Sequence, residues 1–153
     1  MRRPIADRML DLCENSAQQV AELWYADVST SSRTPSYHSV PAQRAILQAA
    51  TIYKNLKDLY FAEKPYQAIL EFLKRKQYAE SLYEDNIPIH EAVYSLILMR
   101  RHIWLFSELH AVYSDTAVEM HQALESVNRV VLLFDYIIYI LAQLHHELDK
   151  RKS

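Results

Sequence analysis

An arginine and an aspartate that interrupt apolar helical stripes are the residues of this sequence best placed to do chemistry. Arg100 falls four residues after Leu96 and four before Trp104, and side chains at this spacing share one face of a helix. Asp135 interrupts the apolar run of residues 130–141. Because an isolated buried charge is costly, a buried arginine normally has a carboxylate partner. The pattern predicts an ion pair between Arg100 and Asp135.

Either His102 or Tyr139 is expected to extend this polar cluster. Tyr139 follows Asp135 by four residues, and His102 follows Arg100 by two. In one interpretation the cluster is the floor of a ligand pocket or a switch between two packing states. In the other it fixes the register of two helices, or Arg100 extends its guanidinium group into solvent. We favour the structural interpretation, because buried pairs are retained mostly for structure or specificity.

Aromatic residues supply a second kind of candidate site. The chain contains eleven tyrosines and two tryptophans. Aromatic side chains at helical spacing are more often part of a core, with any hydroxyl group reaching the surface. Trp24 and Trp104 are the best candidates for a cavity wall. A small-molecule site between helices is therefore the alternative to plain core packing.

Catalytic, metal and cofactor sites find no support in the residue spacing. The chain has no glycine, which excludes the glycine-rich phosphate loops. No glutamate is followed three residues later by histidine, and no HExxH motif occurs, so the usual helical metal ligands are missing. Cys13 lies on an apolar stripe, where thiols are usually inert. The sequence predicts no catalytic residue, no metal ligand and no cofactor.

The charge balance argues against a nucleic-acid partner. The chain has 17 basic and 19 acidic residues and a formal net charge of −2. No strong field therefore attracts it to nucleic acid or to an anionic membrane. The short basic run of residues 74–76 is interpreted as a solvated helix face, because no helix-turn-helix signature accompanies it.

The cysteine content and the apolar runs bear on localisation. A single cysteine cannot form an intramolecular disulfide, which suits a reducing compartment. The basic start of the chain is not followed by the apolar region of a secretory signal. The run of residues 130–141 is too short to cross a bilayer and contains Asp135. We expect a cytoplasmic protein without a membrane segment.

Apolar periodicity predicts an all-α fold, a five-helix bundle with a long C-terminal helix in a single domain of residues 1–153. The polar segment of residues 29–39 is predicted to be a loop. The five helices are expected at about 4–28, from Pro41 to about 63, from Pro65 into the polar stretch near 74–81, from Pro88 to about Tyr113, and from Thr116 to about Leu148. Ser114 or Asp115 is the expected cap of the last helix.

The last predicted helix is longer than a compact bundle of this size requires. At 1.5 Å per residue it extends over roughly 50 Å. A continuous helix of that length is typical of a subunit interface or of a lever to another module. We expect a homodimer through this helix.

Several segments together resemble a known family. The segment YHSVP, the helix IPIHEAVYSLILMRRHIW and the run ALESVNRVVLLFDYIIYIL resemble the N-terminal helical domains of the RsbRD type, found in RsbT co-antagonist proteins and ahead of some bacterial sensor kinases. The resemblance extends from about Met9 to Leu144, and its sharpest features include Glu91. It implies an all-helical signal-input module of bacterial signalling without catalytic residues. The chain departs from the family in lacking its glycines.

The function expected from these observations is that of a non-catalytic signal-input or protein-interaction module. It acts through a partner chain, which the resemblance implies is a kinase or a STAS-type regulator. A shift in the packing of the last two helices would pass the signal to that partner. The alternative is a small-molecule-binding protein with an aromatic-lined pocket between helices.

Overall fold

A computed structural model describes residues 5–109 and 117–152 of the chain. Within these residues there are seven α-helices and one 3-10 helix, and no strand. The helices are α1 (Ile5–Asn15), α2 (Ala17–Val28), α3 (Ala42–Tyr60), α4 (Pro65–Arg75), α5 (Tyr78–Glu84), α6 (Ile89–Leu109) and α7 (Ala117–Lys152), with the 3-10 helix at Pro35–Ser39. The all-α class and the long C-terminal helix are confirmed. The predicted number of five helices is not matched, because two predicted helices are each divided in the structure.

The first division lies at Ser16, between α1 and α2. Ser16 leaves helical geometry with φ −116° and ψ 25°. Its amide still donates to the Leu12 carbonyl at 2.9 Å, and its carbonyl accepts from the Val20 amide at 3.0 Å. The chain therefore bends without losing its hydrogen bonds, and for that reason the apolar spacing continues across the bend.

The second division and the turn before α6 both use the left-handed backbone conformation. Gln77, between α4 and α5, has φ 53°, and Asn86, after α5, has φ 58°. At the end of α5, the Ile87 amide donates to the Leu82 carbonyl at 3.0 Å, and the Asn86 amide donates to the Tyr83 carbonyl at 3.1 Å. This is the Schellman ending of a helix, in which glycine is usual. Because the chain has no glycine, two residues that carry a Cβ atom, Gln77 and Asn86, adopt the left-handed conformation. This conformation is less favourable for such residues than for glycine.

The predicted polar loop of residues 29–39 contains a short ordered element. Its last five residues form the 3-10 helix. The Thr34 hydroxyl, fully buried, donates to the Val28 carbonyl at 2.7 Å and so ties the loop to the end of α2. The loop is therefore packed onto the bundle.

The core is formed by two groups of helices. On one side α2 packs against α3 and α6, and on the other α7 packs against α4, α5 and α6. The buried side of α7 is mostly apolar and includes the polar Ser126 and His145; its apolar members are Val130, Leu133, Phe134, Ile137, Ile140 and Leu141. With 36 residues, α7 is about 54 Å long. The predicted ends near Tyr113, Ser114, Asp115 and Thr116 lie outside the described residues.

One described helix, α7, is long and apolar enough to cross a bilayer by length and composition. Its segment Met120–Lys152 contains an 18-residue window of mean hydropathy 1.6, of which 33% is buried inside the protein. The expectation that this region is too short to cross a bilayer therefore does not hold for the helix as a whole. A core helix of a soluble protein passes the same test, and α7 packs against five other helices.

Candidate functional site

Arg100 and Asp135 meet across the junction of α6 and α7. Their Nη1 and Oδ1 atoms are 3.6 Å apart, and the side chains are 25% and 58% exposed. The pair therefore forms as predicted, but it lies at the surface instead of inside the core. The reason is angular: Asp135 follows the buried Phe134 by one residue, and successive residues point about 100° apart on a helix.

His102 belongs to a different contact from the one predicted. Its Nε2 atom lies 2.5 Å from Oδ2 of Asp27, which joins α6 to the end of α2. The imidazole is buried, whereas the Asp27 side chain is 52% exposed. Arg100 and His102 thus fix α6 to two different neighbours, Arg100 to α7 and His102 to α2. The sequence offers no signal for this contact, because 75 residues separate its partners.

Tyr139 and Trp104 lie on the outer surface of the same junction. The Tyr139 side chain is 60% exposed, so it does not extend the ion pair into the core. Trp104 is half-buried and, with Ile97 of α6 and Val131 of α7, lines an open cleft of about 310 Å³ beside Arg100. The cleft is shallow and is not an enclosed aromatic pocket.

Trp24 is a core residue whose polar atom is satisfied. Its indole N–H donates to the Ser95 carbonyl at 2.9 Å, and its ring contacts the Tyr37 ring edge-on, with centroids 6.0 Å apart. The Tyr37 hydroxyl donates to Ser95 Oγ at 3.0 Å. This arrangement packs the 3-10 helix and α2 against α6. Trp24 therefore supports the core interpretation and not the cavity wall.

Glu91 is a buried carboxylate with a specific hydrogen-bonding partner, and residue spacing alone does not identify it as one. It is buried at the start of α6, where its carboxylate accepts hydrogen bonds from the Ser36 amide at 2.8 Å and from the Ser36 hydroxyl at 2.6 Å. Ser36 lies in the 3-10 helix. Glu91 therefore has a structural partner that holds the loop onto the bundle.

Exposed and half-buried apolar side chains lie on the outer side of the α6–α7 junction, where the Arg100–Asp135 pair is found. We name this surface the α6–α7 face, and define it by Trp104 of α6, by Leu124, Val131 and Tyr139 of α7, and by the ion pair. Leu124 and Tyr139 are among the most exposed large apolar side chains of the described residues. Contiguous apolar patches with polar groups among them mark interaction sites more often than isolated apolar residues do.

A second groove lies on the other side of α7, against the start of α4. It has a volume of about 370 Å³, and its walls include Tyr66 and Leu132 together with Arg129. The rings of Tyr66 and Tyr136 contact edge-on at 5.4 Å, and the Arg129 guanidinium lies 4.9 Å from the centre of the Tyr60 ring. This groove, not the surroundings of Trp104, is the aromatic recess between helices.

Metal-ligand clusters and the cysteine were the remaining candidates for reactive chemistry among the described residues. No group of three or more His, Cys, Asp and Glu side chains that could hold a metal ion occurs there. His121 and Glu125 form the expected pair at 3.4 Å, and both side chains are exposed. Cys13 is buried, and burial raises the pKa of its thiol to about 12. A thiol with this pKa is protonated and unreactive at neutral pH.

Comparisons with known proteins do not assign the chain to a family. No protein-family model, no curated protein and no solved structure matches it. The resemblance to RsbRD-type domains therefore stays a prediction.

Proposed function

We propose that the protein is a non-catalytic signal-input module that acts through a partner chain, and that the α6–α7 face is the surface through which it acts. The observation that carries the proposal is the position of the Arg100–Asp135 pair at the surface of the α6–α7 junction, beside exposed apolar side chains of α7. A polar pair beside apolar side chains provides both affinity and orientation for a docked helix. The resemblance to RsbRD-type input domains supports a kinase or a STAS-type regulator as the partner.

The mechanism we propose is a shift of α6 between two packing states. α6 is fixed to α2 by His102 and Asp27 at 2.5 Å and to α7 by Arg100 and Asp135 at 3.6 Å. The second contact is the longer and the more exposed, so it is the one that a ligand or partner breaks at lower cost. A partner that binds one of the two states more tightly shifts the population toward it.

The proposal is tested by crosslinking at one exposed leucine of the α6–α7 face. Leu124 is 62% exposed, and Leu47 of α3 is a matched control at 63%. A photo-crosslinking amino acid is introduced at either position in the host cell, and the products are identified by mass spectrometry. We expect crosslinks to a protein from Leu124 and none from Leu47. Equal or absent crosslinking at the two positions contradicts the proposal.

A second candidate function is favoured by the groove between α4 and α7. Its volume of about 370 Å³ lies within the range of small-molecule sites. Lys64 and Arg129 are the charged residues among its lining side chains, and both are cationic, so an anionic aromatic or aliphatic molecule is the complementary ligand class. Native mass spectrometry of protein purified from its host tests this function. A retained small molecule that is lost in Tyr66→Ala but kept in Tyr25→Ala supports it.

A further inference from the structure

We infer that the groove between α4 and α7 binds an aromatic carboxylate, whose carboxylate group contacts Arg129 and whose ring packs against Tyr66. The inference rests on the second candidate function, since it takes this groove to be a ligand site. It goes further by naming the chemical class of the ligand, its direction in the groove and the residue that recognises its charge.

The groove has a cationic end and an aromatic end. On α7, Arg129 and Tyr136 both line it, and their separation of two helical turns places them about 10 Å apart along the helix. The Arg129 guanidinium lies 4.9 Å from the centre of the ring of Tyr60, the last residue of α3, whereas the Tyr136 ring contacts that of Tyr66 at 5.4 Å. An elongated ligand with one charged end and one apolar end therefore fits in one direction.

The charge of the groove is positive. Lys64 and Arg129 are its charged lining residues, and no carboxylate is among the lining residues that the structure describes. The acidic residues nearest to these cations in sequence, Glu63 and Glu125, do not belong to the lining, and Glu125 is paired with the exposed His121 at 3.4 Å. A groove with this charge attracts an anion and disfavours a cation.

Arg129 is suited to a carboxylate in particular. A guanidinium group held over an aromatic ring still presents the in-plane N–H groups that bind both oxygens of a carboxylate. Gln67, the amide that lines the groove from α4, already donates from its Nε2 atom to Glu71 at 3.2 Å. Arg129 is therefore the residue that recognises the anionic group, and Lys64 adds a second positive charge from the start of α4.

The walls of the groove favour a flat ring over a saturated one. The rings of Tyr66 and Tyr136 meet at 82°, and this edge-to-face arrangement leaves ring faces that a third aromatic ring can contact. Tyr66 on α4 is 38% exposed and Leu132 on α7 is 48% exposed. A planar ligand between these two side chains covers apolar surface on both walls at once.

Two further cavities of the described residues lack this combination. In the cleft beside Trp104, Arg100 has a carboxylate of the chain, that of Asp135, 3.6 Å away, so an anionic ligand would have to displace it. The recess that α3 forms with α4 and α5 has a volume of about 180 Å³, and Lys76 is its charged lining residue. This volume is below the usual range of small-molecule sites.

The first test measures the binding of 2-naphthoate to the intact chain by isothermal titration calorimetry at neutral pH. We expect one site per chain with a dissociation constant below about 1 mM. Arg129→Gln is expected to weaken binding about ten-fold. Arg33→Gln is the matched control, because Arg33 is also exposed and also lies over a ring, that of Tyr94 at 5.7 Å. Circular dichroism shows whether both variants keep their helix content. Absence of saturable binding overturns the inference, as does equal weakening by the two variants.

The second test separates the charge of the ligand from its ring. The neutral alcohol 2-naphthylmethanol has the ring without the charge, and decahydro-2-naphthoate has the charge on a saturated skeleton. The alcohol is expected to bind about ten-fold more weakly than 2-naphthoate and to be insensitive to Arg129→Gln, because the two changes remove the same contact. The saturated acid is expected to bind about three-fold or more weakly than 2-naphthoate. Equal binding of the acid and the alcohol, or of the aromatic and the saturated acid, overturns the inference.

Failure of this inference is distinguishable from failure of the second candidate function. A molecule that native mass spectrometry finds retained, that is lost in Tyr66→Ala and that is not an aromatic carboxylate keeps the groove as a ligand site but overturns the ligand class. Absence of a retained molecule, together with absence of binding by all three probes, removes both. The crosslink at position 124 tests the α6–α7 face and does not depend on either result.

Discussion

The indole N–H of Trp24 donates to the backbone carbonyl of Ser95, 2.9 Å away, inside the core. Because a carbonyl accepts the bond, the contact depends on where the α6 backbone lies and not on a particular side chain of α6. Tyr37 reaches the hydroxyl of the same residue at 3.0 Å. Ser95 is therefore the point where α2, the 3-10 helix and α6 converge, on the side of α6 away from its junction with α7.

The contact between His102 and Asp27 is expected to contribute measurably to stability. Asp27→Ala leaves the buried imidazole of His102 without its partner at 2.5 Å. We expect the free energy of unfolding to fall by about 1–2 kcal/mol, the usual consequence of an unsatisfied buried polar group. Urea denaturation measures the change, with the exposed Asp58→Ala as control. Equal values for the two variants would show that His102 finds another partner.

Removal of the Glu91 carboxylate is expected to release the 3-10 helix. In Glu91→Ala the amide and hydroxyl of Ser36 lose acceptors at 2.8 and 2.6 Å. Hydrogen bonds to a charged group contribute about 1.5–3 kcal/mol each at most, and partial exposure lowers this value. Hydrogen exchange should show faster exchange of the Ser36 amide, while the exposed Glu84→Ala leaves it protected. An unchanged rate in Glu91→Ala contradicts the prediction.

Glycine at Gln77 is expected to stabilise the protein. Gln77 adopts φ 53°, which costs a residue with a Cβ atom about 1–2 kcal/mol and glycine little. After the greater chain entropy of glycine in the unfolded state is subtracted, Gln77→Gly should raise the free energy of unfolding by up to about 1 kcal/mol. Lys54→Gly, in the middle of α3, should lower it by about 1 kcal/mol. Thermal and urea denaturation compare the two variants.

The surface ion pair between Arg100 and Asp135 is expected to add little to the stability of one chain. Because Asp135 is 58% exposed and the atoms are 3.6 Å apart, solvent screens the attraction. A double-mutant cycle with Arg100→Ala and Asp135→Ala should give a coupling energy below about 1 kcal/mol. A coupling of several kcal/mol would indicate a buried pair.

Alkaline pH is expected to destabilise the fold through buried acidic groups. Burial raises the pKa of the Cys13 thiol from 9.0 to about 12 and raises the pKa values of Tyr37, Tyr53 and Tyr78 above their usual 10.0. These groups keep their protons in the folded chain at a pH where the unfolded chain has lost them. The unfolded state then binds fewer protons, so the free energy of unfolding falls as pH rises.

The expected pH window follows from these values. Stability should not depend on these groups below about pH 8 and should decrease progressively from about pH 9 upward. Urea denaturation at several pH values measures the slope. Tyr53→Phe, which also loses a hydrogen bond to the Met99 carbonyl at 2.9 Å, should reduce the slope, whereas Tyr66→Phe at the surface should not. A slope that is the same in both variants contradicts the assignment to buried groups.

Apolar periodicity predicted the helical class, the polar loop and the long last helix, because these depend on local spacing alone. It also predicted that Arg100 and Asp135 would meet. It did not predict their exposure, because the exposed Asp135 directly follows the buried Phe134, and the edge of a stripe depends on how neighbouring helices are arranged. The partners of His102 and Glu91 were missed for a related reason. Their contacts join segments 75 and 55 residues apart, and no local pattern specifies such a distance.

The dependence of α4 and α5 on α7 has a consequence for synthesis on the ribosome. Both helices pack chiefly against α7, and their buried side chains include Ile69, Phe72 and Leu82. During translation these side chains emerge well before the helix that covers them. The nascent chain therefore exposes an apolar surface until α7 has left the exit tunnel, and this interval is when the protein is most prone to aggregation and most in need of a chaperone.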